Sequence, residues 1–167
     1  MRILFGKEEE EARGYMERAA RVALLATCER SRCGAVIVKD GEIIAEGFNS
    51  PPKNQEGQRR CQNDKALYGQ KVTDKTCCMH AEERAILAAL QSASHKINES
   101  ALYFIRLDVA GKRKYSGKPY CTLCSKLALD AGIAEFVLWH EGGITNYPTD
   151  EYNDLSFEFR GESRGSV

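Results

Sequence analysis

His80-Ala81-Glu82 and Pro119-Tyr120-Cys121-Thr122-Leu123-Cys124 are the two segments from which the fold and the chemistry of this sequence can be inferred. Zinc prefers cysteine sulfur and histidine nitrogen, and a catalytic zinc site has three protein ligands and a fourth position for water. His80, Cys121 and Cys124 supply three such ligands. Two residues from His80, the Glu82 side chain would point to another side of a helix and could move protons instead of binding the ion. The pattern predicts one catalytic zinc with Glu82 as the general acid and base.

Three other interpretations of these residues remain open. A C-x-x-C pair at a helix start is also typical of a redox site, although that leaves His80 and Glu82 without a role. A closed structural zinc site needs a fourth protein ligand, which Cys77 or Cys78 could supply beside His80. The residues could also be unconnected core or surface positions. A fourth protein ligand would favour the structural site, and a position open to water the catalytic one.

The chain resembles the zinc-dependent cytidine and deoxycytidylate deaminase superfamily, whose signature is H-x-E followed by P-C-x-x-C. It looks closest to the deoxycytidylate type, and the segments 34–38 (GAVIV) and 47–49 (GFN) carry this likeness together with His80-Ala81-Glu82-Glu83. One position departs from the signature. Tyr120 stands where the family has the proline before the first cysteine, and Pro119 is displaced by one residue, which bears on the shape of the pocket.

The resemblance implies the roles of several residues. It makes His80, Cys121 and Cys124 the zinc ligands and Glu82 the proton shuttle. It implies that Asn49 contacts the sugar of the substrate, that backbone amides around Ala81 hold the base carbonyl, and that Tyr120 borders the substrate. Family members often complete their pockets with neighbouring subunits, so a homo-oligomer is expected.

The remaining cysteines suggest a second metal site. Some deoxycytidylate-type members carry a structural zinc near the loop that precedes the histidine, and this chain has surplus cysteines on either side of that loop: Cys28, Cys33, Cys61, Cys77 and Cys78. Four thiolates would make a closed zinc site. The alternative is that these are buried free thiols.

Length and composition indicate one globular domain. The chain has 167 residues, enough to bury a substantial core; we expect a single deaminase-like domain over residues 1–160 and a frayed tail at 161–167. No leader pattern or apolar run predicts a membrane segment, and seven cysteines, an odd number, suit a reduced cytoplasmic compartment. Lysine plus arginine equals aspartate plus glutamate, 24 of each, which argues against wide contact with nucleic acid.

The pattern along the chain predicts alternating strands and helices. Helical spacing of apolar residues predicts a helix at 8–27, and two β-rich stretches, 34–39 and 42–48, flank Asp40-Gly41, the signal for a tight hairpin. After a long, irregular loop at 50–78, which is too long to be an idle connection, we expect the following elements: a helix at 80–93, a strand at 101–109, a polar turn at 110–118, a helix at 121–131, a strand at 133–140, and then a short helix or a last strand. This order indicates an α/β fold. The resemblance specifies a three-layer α/β/α sandwich with a central mixed sheet.

The sequence is compatible with three functions, of which the first is favoured. The first is zinc-dependent hydrolytic deamination of a cytosine nucleoside or nucleotide, of the dCMP or cytidine type, to the uracil product and ammonia. The second keeps the chemistry but acts on cytosine or adenine in single-stranded nucleic acid or tRNA. The third is a zinc-stabilised binding module without turnover. The sequence does not distinguish ribose from deoxyribose, count the phosphates on the substrate, or name an effector.

Overall fold

The computed structural model describes residues 1–72 and 74–160. The tail predicted at 161–167 lies outside the described residues. The strands are β1 (Arg2–Ile3), β2 (Arg32–Lys39), β3 (Glu42–Phe48), β4 (Ala101–Leu107), β5 (Arg113–Lys114), β6 (Glu135–His140) and β7 (Gly143–Pro148). The helices are α1 (Gly6–Ala23), α2 (Ala81–Ser92), α3 (Thr122–Asp130) and α4 (Thr149–Glu158). Four single-turn 3₁₀ helices lie in the connections, three of them between β3 and α2.

The strands form one mixed sheet in the order β1-β7-β6-β4-β2-β3, with β5 paired to β4. Strands β4 and β6 run parallel, and the other neighbouring pairs are antiparallel. The hairpin predicted between β2 and β3 is present, with Lys39 paired to Glu42. Asp40 and Gly41 both have positive φ, +50° and +80°, as a turn matched to the strand twist requires.

Helices cover both faces of the sheet, which confirms the predicted sandwich. Helix α1 packs alone on one face, where Met16 and Ala19 meet Val36 and Ile105. Helices α2, α3 and α4 share the opposite face, over a core that includes Ile37, Ile86, Ala128, Phe136 and Tyr152. Because α2 and α3 lie on the same face, their N-terminal ends can approach each other at one edge of the sheet.

The structure differs from the predicted elements at one helix end and at the short strands. The helix predicted at 8–27 ends at Ala23, because the amides of Leu25 and Ala26 bond to carbonyls three residues back and form turns. The predicted polar turn at 110–118 contains β5, and the predicted last element is in fact two, β7 followed by α4. Strands of two residues carry too little pattern to be recognised without their partners.

No helix in the described part of the chain is both long enough and apolar enough to cross a membrane.

Two glycines let helices touch the sheet on opposite faces. A Cβ atom on Gly34 of β2 would lie 2.1 Å from the carbonyl oxygen of Ala19 in α1. On Gly47 of β3 it would lie 2.2 Å from the carbonyl oxygen of Ala81 and 2.4 Å from the amide nitrogen of Ala85, both in α2. Backbone atoms cannot swing aside as side chains can, so Gly47 sets the distance between β3 and the first turn of α2.

Replacing Gly34 with alanine should destabilise the protein by about 1–3 kcal/mol, because α1 must move away from the sheet to admit the methyl group. Urea unfolding followed by circular dichroism measures this change. Gly14→Ala is the matched control: Gly14 lies inside α1 with nothing within 4 Å of an added Cβ. In that position the same substitution should stabilise the helix by about 0.5–1 kcal/mol. Equal effects at the two sites would contradict the packing argument.

Candidate active site

The ligands predicted from the sequence come together at the ends of two helices. The Sγ atoms of Cys121 and Cys124 lie 3.0 Å apart, and the Nδ1 atom of His80 lies 3.3 Å from the first and 3.2 Å from the second. Within residues 1–72 and 74–160, this group of mutually close ligand atoms contains these three side chains and no fourth. The predicted alternative in which Cys77 or Cys78 joins His80 is therefore not what the structure shows.

The local sequence places both segments at helix N-termini. His80 is the residue before α2, and its backbone amide donates a 2.8 Å hydrogen bond to Oε2 of Glu83. This is one half of a capping box, in which a glutamate in the first turn satisfies an otherwise unpaired amide. Cys121 is the residue before α3, and its carbonyl oxygen accepts from the amide of Ser125. Both helix starts direct partial positive charge towards the cluster, which favours thiolates.

Glu82 lies beside the cluster without belonging to it. Its side chain is 6% exposed, which is unusual for a carboxylate. Burial raises the pKa of the Glu82 carboxyl to about 7, although the neighbouring His80 opposes the shift. A carboxyl group with this pKa can both accept and donate a proton near neutral pH.

Proton sharing within the cluster is uneven. The contact with Cys121 raises the pKa of His80 to about 9, against the effect of burial. The contact with Cys124, together with His80, lowers the pKa of the Cys121 thiol to about 4, whereas the same thiol contact and burial raise the pKa of Cys124. The cluster thus has the character of an imidazolium and thiolate pair, and a metal ion that binds it must displace protons.

The cluster borders a cavity of about 370 Å³ that also contains the predicted substrate residues. Asn49 is buried and follows β3; its Oδ1 accepts from the amide of Cys33 at 2.7 Å and its Nδ2 donates to the carbonyl of Ser31 at 3.0 Å. Ala81, the first residue of α2, is fully buried at the cavity wall. Tyr120 is 57% exposed and its ring lies 5.6 Å from that of Phe159, so it forms part of the rim.

Several cavity residues were not found by sequence reasoning. Arg106 near the end of β4 and Lys118 before α3 line the cavity, and so does Tyr152 of α4, whose ring stacks on that of Phe136 with the centroids 4.1 Å apart. Tyr152 is separated from the metal motifs along the chain and falls in the region where the sequence left helix and strand undecided. A local pattern could not have assigned it to the site.

A second group of cysteines lines the same cavity. The Sγ atoms of Cys28, Cys61 and Cys78 all lie within 4.8 Å of one another. The Sγ atom of Cys77 lies 3.3 Å from that of Cys61 and 3.8 Å from that of Cys78. We call these four residues the cysteine cluster. Cys33, which the sequence grouped with them, lies outside it: strand alternation directs its side chain to the face of Ala35 and Ile37.

Both groups fit zinc by their donor chemistry. A single ion at about 2.0–2.3 Å from each donor, the range zinc adopts with nitrogen and sulfur, can reach all of His80, Cys121 and Cys124 at their observed spacing. In the cysteine cluster, Cys28, Cys61 and Cys78 offer three mutually close sulfurs, and Cys77, near two of them but outside that group, is the available fourth donor of a closed structural zinc site. Burial raises the pKa of the Cys33 thiol to about 12 and also raises the pKa of Cys78, so zinc binding at Cys78 must displace a proton.

Comparison with known proteins agrees with this geometry. The profile of the cytidine and deoxycytidylate deaminase zinc-binding region matches residues 9–140. The chain belongs to this family. The resemblance inferred from the motifs is therefore confirmed, and the matched region covers most of the described residues.

Relatives of this deaminase-family chain include deoxycytidylate deaminases. The enzyme of Schizosaccharomyces pombe is 29% identical over 143 residues, which is 83% of this chain and 38% of that protein. The enzyme of Mycobacterium phage D29 is 29% identical over 125 residues, 71% of this chain and 86% of the phage protein. The chain thus spans well under half of the yeast relative and most of the phage one.

Solved structures show the same fold. The dCMP deaminase of cyanophage S-TIM5 in its apo form is 26% identical, with a TM-score of 0.52 over 76% of this chain and 80% of that one. The cytidine deaminase of Burkholderia pseudomallei is 18% identical, with a TM-score of 0.54 over 84% and 94% of the two chains. The second likeness bears on the fold alone, and the predicted cytidine-deaminase-like architecture is confirmed.

Proposed function

We propose that this protein hydrolyses the 4-amino group of a cytosine nucleotide of the deoxycytidylate type, releasing the uracil nucleotide and ammonia. The observation that carries the proposal is the meeting of His80, Cys121 and Cys124 beside a buried carboxylate at the wall of one cavity. The substrate class is supported by the relatives, because the S. pombe and phage D29 proteins are deoxycytidylate deaminases.

His80, Cys121 and Cys124 would hold one zinc ion. When bound, zinc lowers the pKa of a coordinated water to about 7 and so makes a nucleophile available at neutral pH. The remaining chemistry belongs to the chain. Glu82 is buried at the wall of the cavity, so few water molecules compete for its carboxylate. It lies where it can exchange protons with a substrate.

Glu82 carries two protons in turn. It accepts a proton from the attacking water as oxygen adds to C4 of cytosine, and it passes this proton to N3. It then transfers the remaining proton of the added hydroxyl to the amino nitrogen. The bond between C4 and that nitrogen breaks, ammonia leaves, and the carbonyl of uracil forms.

Asn49 and Ala81 would orient the substrate. The first turn of α2 presents backbone amides near Ala81, which can donate to the carbonyl of the base. Although both polar groups of Asn49 already bond the backbone, its amide oxygen has a second lone pair and its amide nitrogen a second hydrogen. These can bond a sugar hydroxyl while the bonds to Ser31 and Cys33 hold the side chain still.

Glu82→Gln should lower kcat by roughly 10²–10⁴-fold while metal content and fold are retained, because the amide cannot shuttle protons. Turnover is followed by loss of cytosine absorbance and by ammonia release, and metal content by elemental analysis. Glu83→Gln is the matched control, since glutamine can still cap the helix at His80. It should keep most of the turnover. Wild-type activity in Glu82→Gln would exclude the mechanism.

A substrate panel separates the proposed function from its alternatives. With cytosine and adenine nucleosides, their 5′-monophosphates, and single-stranded oligonucleotides or tRNA, the highest kcat/KM is expected for dCMP. Faster turnover of an oligonucleotide would favour nucleic-acid editing. Ammonia release from none of the substrates by metal-loaded protein would leave a binding module as the remaining interpretation.

We also propose that the cysteine cluster binds a second zinc ion with a structural role. Its four thiols come from three separate places in the chain, and among them Cys61 and Cys78 are buried. Such a site stabilises the fold by joining segments that have few other contacts.

Elemental analysis of purified protein should find two zinc ions per chain, falling to one in Cys61→Ser. Cys33→Ser serves as the control, because Cys33 is half-buried and lines the same cavity but lies outside the cluster. It should retain both ions. One ion per chain in the wild type, unchanged in Cys61→Ser, would rule out the second site.

A further inference from the structure

The cavity has an excess of positive charge that the deamination chemistry does not use. Outside the His80, Cys121 and Cys124 group, its described lining contains one carboxylate, Glu82, and six lysine and arginine side chains: Arg30, Arg60, Lys65, Lys75, Arg106 and Lys118. The chain as a whole has zero formal net charge, so this is a local concentration of cations. An anionic group on the ligand is what such a lining attracts.

Five of these cations have no polar partner among the described residues. No carboxylate there lies within 4.0 Å of their charged nitrogens, and none of the five side chains donates a hydrogen bond: Arg30, Lys65, Lys75, Arg106 and Lys118. Arg60 differs, because its guanidinium donates to the carbonyls of Asp74 and Thr76. Its role is to join two parts of the loop.

Three of the unpaired cations, Arg30, Lys65 and Lys75, lie on segments that meet at the cysteine cluster. Arg30 is two residues from Cys28, Lys65 is four residues from Cys61, and Lys75 is two residues from Cys77. We call the stretches 27–31, 59–65 and 74–78 the wall segments. Arg106 lies in β4 and Lys118 shortly before α3, so both stand outside the wall segments.

The wall segments of the long loop have little apolar packing besides the cluster. Between Pro52 and Cys77, leaving Thr73 aside, Cys61 is the one buried residue. Polar links add to this. The Arg59 guanidinium donates to the carbonyl oxygen of Thr27 at 2.7 Å and contacts the Cys61 sulfur at 3.6 Å, and the Gln62 amide donates to Oε2 of Glu29 at 3.1 Å. Because this loop lacks an apolar core of its own, its position depends on what the cysteines bind.

We propose that metal binding at the cysteine cluster sets the affinity of the cavity for the phosphate group of its substrate. With the metal bound, the wall segments are joined and Arg30, Lys65 and Lys75 face the cavity together. Without it, the segments separate and the cations lose their common position. By thermodynamic linkage, the nucleotide must in turn strengthen metal binding at the cluster by the same factor. This inference rests on the proposed function for the identity of the ligand.

Binding to a variant with strongly slowed turnover tests the inference directly. In the Glu82→Gln background, the dissociation constants of dCMP and deoxycytidine are measured by calorimetry with and without Cys61→Ser. The preference for nucleotide over nucleoside should fall about 5–150-fold in the double variant, the range of typical coupling between two sites. An equal loss of affinity for both ligands would show a general disruption of the cavity and overturn the proposal.

Metal release provides a second readout that does not involve activity. The rate at which zinc passes from the protein to a chelating dye should be lowered by dCMP and left unchanged by deoxycytidine. The protected ion should be the one that is missing in Cys61→Ser. Equal release with and without dCMP would contradict the linkage.

Charge variants keep the test decisive if Cys61→Ser does not fold. Lys65→Gln combined with Lys75→Gln should keep two zinc ions per chain, lose the preference for dCMP, and abolish its protection of zinc. Lys71→Gln is the control, an exposed lysine of the same loop that does not line the cavity. An unchanged nucleotide preference in the paired variant would overturn the proposal. Absence of deamination would instead count against the proposed function, while the binding and release results would still test the linkage.

Discussion

The approach of one imidazole and two thiols to within 3.3 Å is the constraint on which the rest of the structure depends. His80 and Cys121 each precede a helix, so both helices must begin at the same edge of the sheet and on the same face. The parallel pairing of β4 and β6 requires a crossover, and α3 in that crossover lies on the same face as α2. The fold thereby delivers two helix N-termini to one place, where their partial positive charge favours thiolates.

Close packing against β3 holds the first turn of α2 in place. Gly47 allows the backbone of α2 to lie against β3, and Ala81, Ala85 and Ala89 continue the contact with small side chains that are fully buried. Glu83 holds the amide of His80 from within the first turn. Close backbone packing on Gly47 therefore sets the distance of the first turn of α2 from the sheet, and the Glu83 hydrogen bond sets the residue at which the helix begins. Glu82, in the same turn, is buried as a consequence, and its raised pKa follows from that burial.

Most of the long elements could be predicted from the sequence, because their apolar spacing and the Asp40-Gly41 turn are local signals. The two-residue strands β1 and β5 could not, since each is defined by pairing with β7 or β4 and has little pattern of its own. The cysteines illustrate the same limit. The sequence indicated surplus thiols around a long loop but could not separate Cys33, which strand alternation turns towards the core, from those that meet beside the cavity.

The sequence by itself determined the chemistry of the metal ligands, the carboxylate beside them, the family, and the order of helices and strands, because these depend on residue type and on spacing within a few turns of chain. The tertiary structure alone decided which cysteines form the second cluster, that Arg106, Lys118 and Tyr152 reach the cavity, and that cations from distant segments share one wall. Those facts depend on which faces of the sheet the helices cover and on where the long loop is anchored. Contacts between residues far apart in the chain are set by packing, which local periodicity does not encode.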